Sequence, residues 1–180
     1  MEETIVAEIK INRKSIIYIL SYRSPSQSTS EFKKYTEDLD KIYNKALAEN
    51  PYMIILTGDY NARSPLLWQD EQKQTIEGKA LADFCTKNFL HQIIDEPTHL
   101  PNETTQTCID LIMTNQPNFF VDKGVIPSPD PSLKHQIIHG KINLSIPSPP
   151  PHKRVVWDYS LAHILAIKNQ VANIPWQQIF

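Results

Sequence analysis

The stretch Tyr52-Met53-Ile54-Ile55-Leu56-Thr57-Gly58-Asp59-Tyr60-Asn61-Ala62-Arg63 leaves this chain the least freedom in how it folds. Its first five residues are apolar and rich in Ile, so they read as a strand buried on both faces. Gly58 is expected to end that strand and to leave Asp59 and Asn61 at its carboxyl end. In layered α/β proteins ligands bind in the crevice outside the carboxyl ends of strands, and the loops there carry the chemistry. A carboxylate and a carboxamide spaced two apart suit a water and a phosphate oxygen. The same residue types also build an Asx turn that closes a strand, and this stretch alone leaves both readings open.

The residues before it supply a frame. Ile5, Ala7, Ile9 and Ile11 alternate with Val6, Glu8, Lys10 and Asn12, and an apolar run follows from Ile16 to Tyr22, which predicts an antiparallel hairpin. Ser28 with Glu31 three residues later is a capping-box pattern that starts a helix. Phe32, Tyr35, Leu39, Ile42, Tyr43, Ala46 and Leu47 form its apolar stripe, and Asn50-Pro51 stops it. Strand, helix, strand in that order predicts a right-handed crossover in a layered α/β architecture.

Beyond Arg63 the pattern is weaker. Residues 62–74 lack periodicity and are expected to form a loop at a substrate rim, with Trp68 among polar residues. A second helix is predicted over 75–88, burying Leu81, Phe84 and Cys85, with Gly78 weakening its first turn. Short strands are expected at 90–94, 107–113, 119–125 and 136–146. Asp110 is the one acid in an apolar strand, and a buried carboxylate costs several kcal/mol unless it is paired. It either caps a structural network or orients a partner such as histidine. His135 opens the last strand; His139, four residues on, would form a metal pair with it only on a helix, which the β pattern of Ile142, Leu144 and Ile146 opposes.

With 180 residues, 41% of them hydrophobic, the chain can bury a core, and its net charge of −2 argues against binding nucleic acid through bulk positive charge. Cys85 and Cys108 show no zinc-ligand spacing and are expected to be buried, reduced thiols. Neither a basic, apolar leader nor a run of membrane-spanning length is evident, which suggests an intracellular, soluble setting without membrane contact. Pro147-Ser148-Pro149-Pro150-Pro151 reads as a semi-rigid spacer, followed by a short helix carrying Leu161, Ile164, Leu165 and Val171 on one side. The expected organisation is a domain over 1–146, a linker over 147–156 and a helical segment over 157–180.

Gly58-Asp59-Tyr60-Asn61-Ala62-Arg63, Ile109-Asp110-Leu111-Ile112 and Ser132-Leu133-Lys134-His135-Gln136-Ile137, in this order, resemble the endonuclease/exonuclease/phosphatase family. More narrowly the chain is similar to the apurinic-type endonuclease of non-LTR retrotransposons. The stretch from Pro149 to Tyr159 resembles the linker that leads from this endonuclease to the reverse transcriptase. The resemblance implies a DNase I-like four-layer α/β sandwich with mixed and antiparallel sheets flanked by helices. It implies metal-dependent nicking of DNA, with Mg²⁺ or Mn²⁺ as cofactor and a nuclear location where chromosomal DNA is the target.

By the same resemblance, Asp59 orients or deprotonates the attacking water, Asn61 holds the scissile phosphate, and His135 stabilises the pentacovalent phosphate while Asp110 fixes its tautomer. Tyr22 would contact the phosphate, and Arg63, Trp68 and Lys134 would contact the substrate. Many relatives carry Asp where Lys134 stands, and Lys134 cannot ligate Mg²⁺. The family's first layer of strands, with its principal metal-binding Glu, would precede Ile5, and Glu2 and Glu3 lie too near the terminus to replace it. The expectation is therefore an N-terminally truncated domain, impaired or inactive, with an exposed apolar sheet face that promotes self-association. A phosphomonoesterase and a non-catalytic interaction remnant are the alternatives.

Overall fold

The computed structural model describes residues 3–102, 104–130, 132–144 and 163–178. The Pro-rich linker at 147–156, together with Glu2 and Leu161, lies outside them. Two compact units are present, Met1–Pro147 and Ser148–Phe180.

The first unit is built on a five-stranded mixed sheet. Strands β1 (Glu3–Ile11) and β2 (Lys14–Tyr22) pair antiparallel across Asn12 and Arg13, both at positive φ (51° and 67°), as the tightest hairpin turn requires. Helix α1 (Thr29–Ala48) starts on a complete Ser28/Glu31 capping box and buries Phe32, Tyr35, Leu39, Tyr43 and Ala46; Leu47, expected on the stripe, is exposed. It delivers the chain to β3 (Met53–Asp59), which pairs parallel with β2. Helix α2 (Ile76–Lys87) follows, capped by Thr75.

Gly58 does not end β3. It sits within the strand at φ +145°, and a Cβ there would come within 1.7 Å of the Ser21 carbonyl oxygen. Its sequence signal therefore reports close approach of two backbones, not termination. Gly78 is likewise required by proximity: a Cβ would lie 1.9 Å from the Arg63 carbonyl oxygen, which locks the start of α2 to the loop after β3.

Strands β4 (His91–Gln92), β5 (His99–Asn102), β6 (Thr105–Thr107) and β7 (Asp110–Thr114) complete the middle of the unit. β7 inserts antiparallel between β3 and β4, giving the sheet order β1-β2-β3-β7-β4, while β5 and β6 form a separate hairpin. The strand expected at 90–94 shrinks to two residues, and that expected at 107–113 is split between β6 and β7. Strands β8 (Phe120–Ile126) and β9 (Ile137–Ile142) pair as another ribbon.

Alternation along the paired strands assigns two faces. Ile17, Ile19, Ile54, Leu56, Leu111 and Met113 share one face and are buried. The helices cover that side, as shown by the Cys85 thiol of α2, 3.2 Å from the Met113 sulfur. Burial pushes both thiols, Cys85 and Cys108, up to about 12, so both are inert, unpaired cysteines. The other face opens onto a cavity of about 540 Å³ lined by Tyr18, Ile55, Ile112, Phe120 and Ile138, with Asp59 and Asp110 also on its wall. The second unit contains helix α3 (Ile164–Ala172) and one 3₁₀ turn, Trp176–Gln178.

Candidate functional site

Three sequence-predicted residues converge at one edge of the open face. Asp59, Asp110 and His135 each present a ligand atom within 4.8 Å of the others, the one such group of three His, Cys, Asp or Glu among the described residues. Asp59 and Asp110 are register partners across the β3–β7 ladder. Like charges placed directly opposite repel, so this pair is held against its own electrostatics. His135 Nδ1 lies 3.0 and 3.2 Å from the two Asp110 carboxylate oxygens. This contact is the placement that an orienting Asp110 would need.

Asn61 is committed to Asp59. Its backbone N–H donates to Asp59 Oδ1 (2.9 Å), and its Nδ2 donates to Asp59 Oδ2 (3.0 Å) and to the Arg23 carbonyl oxygen (2.9 Å). Both amide hydrogens are used, so the side chain braces the carboxylate and has no donor left over for a phosphate. Asn61 adopts φ +45°, the left-handed conformation that Asn tolerates better than most residues. Burial first, then the Asp110 charge, pushes the Asp59 carboxyl above its ordinary value; the Asn61 hydrogen bonds and His135 pull the other way.

Arg23, absent from the sequence expectations, is the buried cradle of this loop. Its backbone N–H donates to the Asp59 carbonyl oxygen (2.9 Å), Nη1 donates to the Asn61 carbonyl oxygen (2.9 Å), and Nη2 lies 3.6 Å from Glu77 of α2. Its guanidinium also covers the Phe32 ring at 4.9 Å. An isolated Arg following an apolar strand carries no periodic signal that would have marked it.

A second clasp comes from Thr98 and His99. The Thr98 hydroxyl accepts the backbone N–H groups of Asp110 (2.9 Å) and Ile109 (3.1 Å), while its carbonyl accepts Gln136 N–H (2.7 Å). The His99 ring lies 4.6 Å from the His135 ring, and burial, then the neighbouring His135 and Lys134 charges, hold it below the ordinary histidine range against the opposing pull of Asp110. Their nearest sequence signal, Pro97-Thr98-His99, reads as a loop.

The remaining predicted site residues divide. Tyr22 is exposed and lines the same small hollow as Asp59. Lys134 is exposed next to His135, and its carbonyl accepts Leu100 N–H. Trp68 is only 7% exposed, and its indole N–H donates to the Asp95 carbonyl oxygen, which places it in the core and corrects the expectation of a substrate-rim residue. Arg63 forms a two-pronged pair with Glu71 (2.9 and 2.7 Å) and pins the 62–74 loop rather than reaching into the cluster. Burial pushes Glu71 up, and Arg63 outweighs it, so the carboxyl lies below its ordinary range.

Comparison with known proteins agrees with this architecture. The endonuclease domain of TRAS1, a telomere-specific non-LTR retrotransposon, superposes with a TM-score of 0.63 at 19% identity, over 78% of this chain and 64% of that one. The 3′ phosphatase NExo from Neisseria, bound to product DNA hairpin, gives 0.59 at 10% identity, over 78% and 65%. An endonuclease/exonuclease/phosphatase family protein from Leptotrichia buccalis gives 0.51 at 18% identity, over 78% and 54%. The chain thus spans less than two thirds of each of these structures. No curated protein matches it. Among the described residues no helix is long and apolar enough to cross a membrane. The family model described as endonuclease-reverse transcriptase matches residues 16–139, the span that holds most of β2, all of β3 and β7, and all three residues of the acid–histidine cluster. The chain therefore belongs to the endonuclease-reverse transcriptase family and has the DNase I-like α/β fold of endonuclease/exonuclease/phosphatase domains.

Proposed function

We propose that this chain carries the phosphodiester-hydrolysing site of a retrotransposon endonuclease that nicks DNA with a divalent cation. The observation that carries the reading is the His135–Asp110 contact of 3.0 Å with Asp59 in the same cluster. Phosphodiester hydrolysis needs a base to activate water and donors to meet charge developing on phosphate. Asp59, pushed above the ordinary aspartate range, is suited to take a proton from water while Asn61 and Arg23 fix its position. His135, held through Nδ1, presents Nε2 to a phosphate oxygen, with Tyr22 and Lys134 at the edge of the same site.

The donor set fits a hard cation. Two carboxylates and one imidazole gather within 4.8 Å, and a cation would relieve the repulsion between Asp59 and Asp110. Mg²⁺ or Mn²⁺ there would neutralise charge on the leaving oxygen. Asp59, Asp110 and His135 would be the cation's ligands as well as the base and the charge stabiliser, and sharing them between the two tasks would slow the reaction, the form of impairment we propose. The reverse transcriptase of a parent polyprotein is the proposed neighbour beyond residue 147, and chromosomal DNA in the nucleus the proposed target.

A substrate comparison tests the class. Nicked plasmid without release of phosphate from a phosphomonoester is the expected result, and hydrolysis of the monoester with plasmid left intact would move the site to the phosphatases. Neither activity above that of Asp59→Ala would leave a binding module.

A further inference from the structure

Resting on the hydrolytic reading, we propose that His99 is a positioning residue for His135, fixing the plane of its imidazole while Asp110 fixes its direction. A hydrogen bond through Nδ1 alone leaves an imidazole free to swing, because the χ2 torsion of histidine is broad. That freedom matters here: the His135 side chain is 45% exposed, so little else surrounds it.

His99 supplies the missing restraint. The two residues form an isolated antiparallel backbone bridge, which sets their Cα atoms side by side, and their rings lie 4.6 Å apart at a 41° tilt. Aromatic rings at this separation and tilt are attractively packed. The His99 ring is itself anchored, with Nδ1 3.2 Å from the hydroxyl of buried Thr107. On either side, Leu100 N–H donates to the Lys134 carbonyl oxygen (2.8 Å) and Gln136 N–H donates to the Thr98 carbonyl oxygen (2.7 Å), so the backbone flanking His135 is clasped to the backbone flanking His99. Thr98 carries the clasp on to Asp110 through its hydroxyl. One short segment thus holds both members of the His135–Asp110 pair.

The full chain is compared with His99→Phe, which keeps a ring, and His99→Ala, which removes it. Plasmid nicking gives kcat and KM, and ¹⁵N NMR of labelled histidine reports the His135 tautomer. Displacing a reacting group by an ångström costs on the order of 100-fold. His99→Ala is expected to lower kcat by about 10- to 100-fold with KM nearly constant and to mix the His135 tautomers, while His99→Phe keeps both within about threefold. Unchanged kcat and an unchanged His135 signal in His99→Ala would overturn the proposal, as would equal losses in Ala and Phe variants. His99→Leu, which keeps the bulk at this position but removes the flat ring, covers the case in which His99→Ala does not fold: a mixed His135 tautomer supports the role and an unaltered one overturns it. Where the parent chain does not nick, a His135 signal disturbed only in His99→Ala upholds the positioning role and rejects the hydrolytic reading instead.

Discussion

Asp59 and Asp110 stand directly opposite each other on neighbouring antiparallel strands, on the face of the sheet opposite α1 and α2. A fold selected only for stability would not keep two carboxylates in that register. They stand with His135 on one and Asn61 on the other, the arrangement on which the proposed hydrolytic role rests.

The first prediction follows from the raised Asp59 carboxyl. A folded-state value above the unfolded one favours the protonated form, so the contribution to stability is present below the unfolded value and is lost as pH rises through the folded value. At pH 7 ionised Asp59 therefore weakens the fold. Asp59→Asn is expected to raise Tm at pH 7, to lose that advantage near pH 3, and to abolish nicking. Thermal melts over this pH range check it, and a lower Tm at pH 7 would contradict it.

The Arg63–Glu71 pair should be asymmetric. Glu71 is 2% exposed and Arg63 29%, so removing the arginine strands a buried carboxylate, whereas removing the glutamate leaves a cation that reaches water. Arg63→Leu is expected to cost about 3 kcal/mol in denaturant unfolding, Glu71→Leu less, and the double change less than the arginine change alone. Equal costs would contradict the assignment of Arg63 to the loop rather than to the substrate.

An apolar row also remains on the open side: Ile5 is 62%, Ile9 45% and Leu20 42% exposed. Such a row promotes association between copies. Sedimentation is expected to show mass rising with concentration, reduced in Ile5→Lys/Ile9→Lys; a monomer with sharp thermal unfolding would contradict this.

Much of this arrangement is legible in the sequence because it is local. The Ser28/Glu31 box, the β1–β2 alternation and the apolar run of β3 each specify their own element, and the Asp59, Asp110 and His135 motifs mark the cluster. What escapes is what depends on approach between distant segments. Gly58 looks like a strand terminator until Ser21 is placed beside it. Trp68 looks like a rim residue because its loop lacks a period, yet the loop folds inward onto Asp95. Arg23, Thr98 and His99 act by holding other residues, so nothing in their own neighbours marks them.

The most direct test of the central claim is nicking of supercoiled plasmid with Mg²⁺ by the chain, by its His135→Ala variant and with EDTA added. Slow nicking that disappears in both controls is predicted. No nicking above the controls, or nicking that survives His135→Ala, would contradict a hydrolytic site built on Asp59, Asp110 and His135.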